Sequence, residues 1–160
     1  MQILLREYGL ILSLSLQWHV PYLTIVQVQK LRDGRLAELH PKLCQIWMLD
    51  ALNAKQREEA IYHEFRHMFQ YVYYRDLYNW WLDSSNWSTY MQYYDTVINV
   101  LEEDARQFAA SKGQIDARAL LDELPAGAWK ILKKNGQLDA VKVGLCKILQ
   151  DLGVRPSIGP

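Results

Sequence analysis

A change of period at Asn53 constrains this chain more than any other feature. Beyond it Ile61, Phe65, Met68 and Val72 recur at i, i+4, i+7 and i+11, the spacing of a single apolar stripe on an α-helix. Asn53 suits the N-cap, because its short side-chain oxygen can take a backbone N–H that the first turn leaves unpaired. Glu58 and Glu59 follow in the early part of the helix. The spacing predicts a helix over residues 54–75.

The residues before it read differently. "YLTIVQVQKLRDGRLAELHPKLCQIWMLD" alternates β-branched and polar side chains on either side of Asp33-Gly34, which predicts strands joined by a hairpin-type turn, and it continues past Pro41 into "KLCQIWML". The first 18 residues mix helix-like spacing (Ile3, Leu4, Tyr8, Ile11, Leu12) with later alternation, so both types stay open, and Pro21 ends the segment.

After the helix, ten of the 24 residues in 71–94 are Tyr or Trp, and Asp83-Ser84-Ser85-Asn86 interrupts them with turn chemistry. Two roles fit such a stretch: buried aromatic packing, or the walls of a cleft with Tyr90, Tyr93 or Tyr94 donating a hydrogen bond. A second helix is expected in "TVINVLEEDARQFAASKG", where Ile98, Leu101, Ala105 and Phe108 form the stripe and Gly113 the stop. The remainder reads as short helices punctuated by Pro125, Asn135-Gly136 and Gly153.

Composition bounds the class. A chain of 160 residues, half of them apolar, is expected to build one domain with its own core. Eighteen basic and eighteen acidic side chains cancel, so no global field argues for nucleic acid or an anionic membrane as partner. The balance is local: in residues 125–160 Lys130, Lys133, Lys134, Lys142, Lys147 and Arg155 face only Asp139 and Asp151, a pattern read as the solvated face of a basic helix. Cys44 and Cys146 are too few for a disulfide framework. The apolar run at residues 10–16 is interrupted by Ser13 and Ser15 and is too short to span a bilayer. A cytoplasmic protein without membrane association is expected.

The chemistry sits in "HEFRH". Residues four apart on a helix are about 400° apart, so His63 and His67 project from one face and can share one ion. Zinc in a catalytic centre takes three protein ligands and keeps a position for water, so the pair calls for a third ligand, while Glu64 is placed to take that water's proton. The other reading makes both histidines packed helix residues satisfied by backbone or water. In "NVLEEDARQFAA", Glu102, Ala105 and Ala109 share a face at i, i+3 and i+7, and the alanines allow close approach to another helix. Glu102 is therefore favoured over Glu103 as the third ligand. Glu103 and Asp104 point elsewhere on the wheel, either solvated or orienting an imidazole. His19 and His40 lack partners at ligand spacing, and Cys44 is a soft ligand by chemistry but not needed by a three-ligand site.

"HEFRH" followed by Gln70, then "NVLEEDARQFA", resembles the zincin metallopeptidases of gluzincin type. It is most similar to small single-domain bacterial and phage proteins with an HExRHxxQ helix and a later ExxAxxFA helix, related in pattern to the ImmA/IrrE group. The likeness covers roughly residues 36 to 110. It implies Zn²⁺ as cofactor with His63, His67 and Glu102 as ligands, Glu64 as general base, and a peptide or protein substrate. The fold expected is an α+β zincin-like domain over residues 1–160. It would comprise an N-terminal antiparallel or mixed sheet within 1–50, a metal helix and a glutamate helix within 51–112, and a helical tail over 113–160. The likeness also implies that "KLCQIWML" is a sheet-edge strand able to pair with an extended substrate, against the plain alternative of a core strand. Many gluzincins carry an acidic residue four positions after the glutamate ligand, where this chain has Arg106. That departure and the basic tail support the rival expectation, a non-catalytic zinc-binding regulatory or phage accessory protein on the same scaffold.

Overall fold

A computed structural model of the chain describes residues 2–73, 75, 78–79, 101–102 and 104–114, which form an α+β arrangement. The expected tail beyond Gln114, most of the aromatic stretch with Tyr90, Tyr93 and Tyr94, and Ile98, Glu103 and Cys146 lie outside the described residues. The chain divides into two compact units, Met1–Phe69 with Ala105–Gln114, and Gln70–Asp104 with Ile115–Pro160.

In the first unit the opening segment is a helix, α1, spanning Gln2–Trp18. Its inward stripe is Glu7, Ile11, Leu14 and Ser15, whereas Leu5, Leu12 and Leu16 are exposed. Apolar spacing left its type open for a physical reason: the buried face includes a carboxylate and a hydroxyl, and the outer face carries leucines. Glu7 is buried because it accepts two hydrogen bonds from Arg57, at 2.6 Å from Nε and 2.8 Å from Nη2. That hydrogen bond is also the largest influence on the guanidinium, pushing the Arg57 pKa up against the opposing effect of burial. His19 takes the left-handed conformation at φ 52°, and the Val20 N–H donates to the Ser15 carbonyl at 3.2 Å, closing the helix two residues before Pro21.

Three strands follow: β1 (Thr24–Val28), β2 (Ala37–His40) and β3 (Gln45–Leu49). They form a mixed sheet in the order β1-β3-β2, with β3 parallel to β1 and antiparallel to β2. Two expectations are corrected here. Asp33 (φ 55°) and Gly34 (φ 68°) do make a left-handed turn, but β1 and β2 are not paired across it. The tight hairpin is instead β2–β3, closed by Pro41-Lys42-Leu43 and by Cys44 in the left-handed region at φ 51°. Nor is "KLCQIWML" an edge strand: β3 lies in the middle, so β1 and β2 use its hydrogen-bonding groups on both sides and none remain for an added peptide. The cause is burial, since Ile46 and Met48 on its inner face are fully enclosed and the most apolar segment takes the centre.

Helix α2, Ala54–Tyr73, begins with a reciprocal cap. Asn53 Oδ1 accepts from the Gln56 N–H at 2.9 Å, and Gln56 Oε1 accepts from the Asn53 N–H at 3.0 Å. Ile61, Phe65 and Met68 are enclosed as the stripe demands, but the buried surface is wider than a stripe. From 61 to 70 every residue except His63 is buried, so the nearly three turns of helix that carry the histidines are covered nearly all round. Arg66 is part of that lining, its guanidinium 4.3 Å from the Phe69 ring centroid, 5.2 Å from Phe108 and 5.6 Å from Trp18. Phe108 also stacks on Phe65 with centroids 6.1 Å apart.

Residues 101–102 and 104–110 are helical and are called α3. Leu101, Ala105 and Phe108 are fully enclosed, as the expected stripe requires. The helix ends one residue earlier than the glycine suggested. Lys112 at φ 52° is the left-handed residue, its N–H donating to the Ala109 carbonyl at 3.1 Å and that of Gly113 to Phe108 at 2.9 Å. Gly113 has φ 80° as well, and a Cβ there would come within 3.1 Å of Leu14 Cδ2. Among the described residues, no helix is long and apolar enough to cross a membrane.

Candidate metal centre

One turn of α2 separates His63 from His67, and the two rings meet. Their Nε2 atoms are 3.1 Å apart, with ring centroids at 4.8 Å and an interplanar angle of 78°. Two neutral imidazoles at that distance hold a single hydrogen bond, one nitrogen donating and the other accepting. Two nitrogens presenting lone pairs to a tetrahedral zinc at 2.0–2.1 Å would stand about 3.3 Å apart, so little rearrangement separates the two situations. His67 is buried and His63 half-exposed, which makes the His63 side the one that faces outward.

Glu102 on α3 completes a group of three: one ligand atom from each of His63, His67 and Glu102 lies within 4.8 Å of the others. That widest separation exceeds the tetrahedral span by about 1.5 Å, within the reach of a glutamate's rotatable bonds. The donor set, two imidazoles and one carboxylate, matches zinc chemistry with a position left over. Glu64 is buried on α2 next to His63 in sequence and one turn before His67. On the helical wheel it lies about 60° from His67, flanking the ligand face rather than standing on it.

Other expected residues fall elsewhere. Asp104 is fully buried, not solvated, because its Oδ2 accepts a hydrogen bond from Gln70 Nε2 at 2.9 Å. Gln70, also fully buried, donates from the same nitrogen to the Leu101 carbonyl at 3.0 Å. The sequence placed Gln70 in a motif without giving it a task. The signal was available in part: it lies seven residues after His63 and therefore on the ligand face of α2, a polar side chain in an otherwise enclosed stretch. Arg106 is exposed. His40 has a structural place, stacked on Trp47 with centroids 4.0 Å apart and 3.2 Å from Glu38, and exposed His19 caps α1. Cys44 is a free, half-buried thiol in the β2–β3 turn.

Compared with protein-family models, with curated proteins and with solved structures, the chain finds no match.

Proposed function

We propose that this chain is a zinc-dependent peptidase of zincin type, with His63, His67 and Glu102 as ligands and Glu64 as general base. The observation that carries the reading is the convergence of the two Nε2 atoms, 3.1 Å apart, with the Glu102 carboxylate inside the same 4.8 Å group. On this reading the α+β arrangement is a zincin-like domain in which α2 is the metal helix and α3 the glutamate helix.

When bound, zinc supplies Lewis-acid chemistry, polarising a peptide carbonyl and making water a nucleophile near neutral pH. The chain's own residues do the rest. His63 and His67 hold two nitrogens in fixed register because a covered helix carries both, and Glu102 brings the negative charge that two neutral imidazoles lack. Glu64 removes the proton from the attacking water and delivers it to the leaving amine, a task that suits a carboxylate flanking the ligand face. Because both edges of β3 are occupied, an extended substrate would have to be held by side chains or by another edge of the sheet.

Glu64→Gln provides the test. Cleavage of a peptide library by the wild-type protein should depend on zinc, and the variant should lose turnover while keeping one zinc per chain. Undiminished cleavage by the variant removes Glu64 from the mechanism. Stoichiometric zinc in the wild type with no peptide cleaved favours instead a non-catalytic zinc-binding protein.

A further inference from the structure

We propose that Gln70 is a positioning residue for Glu102, a role that rests on the reading of His63, His67 and Glu102 as a zinc site. Both of its amide hydrogens are engaged, one by the Leu101 carbonyl at 3.0 Å and one by Asp104 Oδ2 at 2.9 Å. The two acceptors are three residues apart, one turn of α3, and Glu102 lies between them. All of this is enclosed: Gln70 and Asp104 are fully buried, and the bond to the carboxylate is charge-assisted in a medium that screens it little.

The geometry makes Gln70 a register pin. It stands seven residues beyond His63 on α2, nearly two full turns, so the face that presents the imidazoles also presents the amide that grips α3. Slipping α3 by one residue would turn Glu102 by about 100° and shift it by about 1.5 Å, which removes its carboxylate from the histidines. Such a slip would also strip both acceptors from a buried amide, a costly loss that holds the register. The hold of Gln70 on Glu102 runs through α3, by way of Leu101 and Asp104.

A double-mutant cycle read in zinc affinity separates positioning from general support. Zinc affinity is measured by chelator competition for the wild type, Gln70→Met, Glu102→Ala and the double variant, with near-ultraviolet circular dichroism of each metal-free protein as the check on folding. Methionine keeps the buried volume while removing both donors, and Gln70→Asn, one methylene shorter, is the second variant should the first not fold. The expected result is a 10–100-fold loss on changing Gln70 when Glu102 is present, of the order usual for groups that orient a ligand. With alanine at 102 the same change should cost less than about 2-fold, the margin within which independent sites add. An equal loss in both backgrounds overturns the positioning role and leaves the zinc site standing. Failure of the wild type to take up zinc in a manner abolished by His63→Ala overturns the site and the positioning role together.

Discussion

Nε2 of His63 stands 3.1 Å from Nε2 of His67, on a stretch of α2 in which His63 alone is not buried. A pair so placed brings two potential ligand nitrogens together on one face of the helix. On the proposed reading, this arrangement holds two zinc ligands in readiness on a single helix.

His63→Ala and His67→Ala should therefore each weaken zinc binding by more than the 10–100-fold typical of changes to groups that merely orient a ligand. The shift in thermal midpoint on adding zinc should vanish with it, whereas at 100 times its Kd zinc should stabilise the wild type by about 2.7 kcal/mol. Scanning calorimetry with and without the metal reads both. A zinc-induced shift in either variant equal to that of the wild type would remove that histidine from the site.

The Glu7–Arg57 pair links α1 to the start of α2 and is buried on both sides. Removing one partner strands the other charge, so Glu7→Ala should lower stability by about 3–5 kcal/mol in urea unfolding. Replacing both residues with apolar ones of similar size, as in Glu7→Leu with Arg57→Met, should recover much of the loss. Additive losses in the double variant would show that the two side chains do not depend on one another.

Tyr62 gives a pH dependence. Burial pushes its phenol pKa above the ordinary value of 10.0, with the nearby Glu58 adding to the rise and Arg6 opposing it. The folded state then holds the phenolic proton at a pH where the unfolded chain has released it. Stability is in full force below about pH 10 and falls as the pH climbs through the raised value. Denaturation midpoints measured from pH 8 upward should decline more steeply for the wild type than for Tyr62→Phe. Parallel curves would assign the decline to other groups, among them Tyr22, whose pKa burial also raises.

The parts legible in the sequence are those whose cause is local. The Asn53 cap, the Ile61-Phe65-Met68 stripe and the four-residue spacing of the histidines are set by neighbours within two turns. The structure places them where the spacing expected. Helix α1 was not legible because Glu7 is buried by a partner 50 residues away, and no periodicity announces a buried carboxylate. Strand order failed for a similar reason. Asp33-Gly34 shows that the chain turns, but which strand sits beside which is decided by the enclosure of Ile46 and Met48, a tertiary fact. At the site, the helical spacing and the resemblance both pick out Glu102, and the structure groups it with the histidines. For Asp104, two residues on, the sequence leaves solvation and the orienting of an imidazole both open, because its partner Gln70 lies on another helix, 34 residues earlier.

X-ray absorption at the zinc edge of the loaded protein reads whether two imidazoles and one carboxylate from separate helices hold one zinc. The spectrum should show two imidazole nitrogens at about 2.0–2.1 Å and oxygen at about 2.0–2.2 Å from the metal, one oxygen fewer in Glu102→Ala, and no sulfur. Sulfur near 2.3 Å, a single imidazole, or a spectrum unchanged by Glu102→Ala would rule out this ligand set.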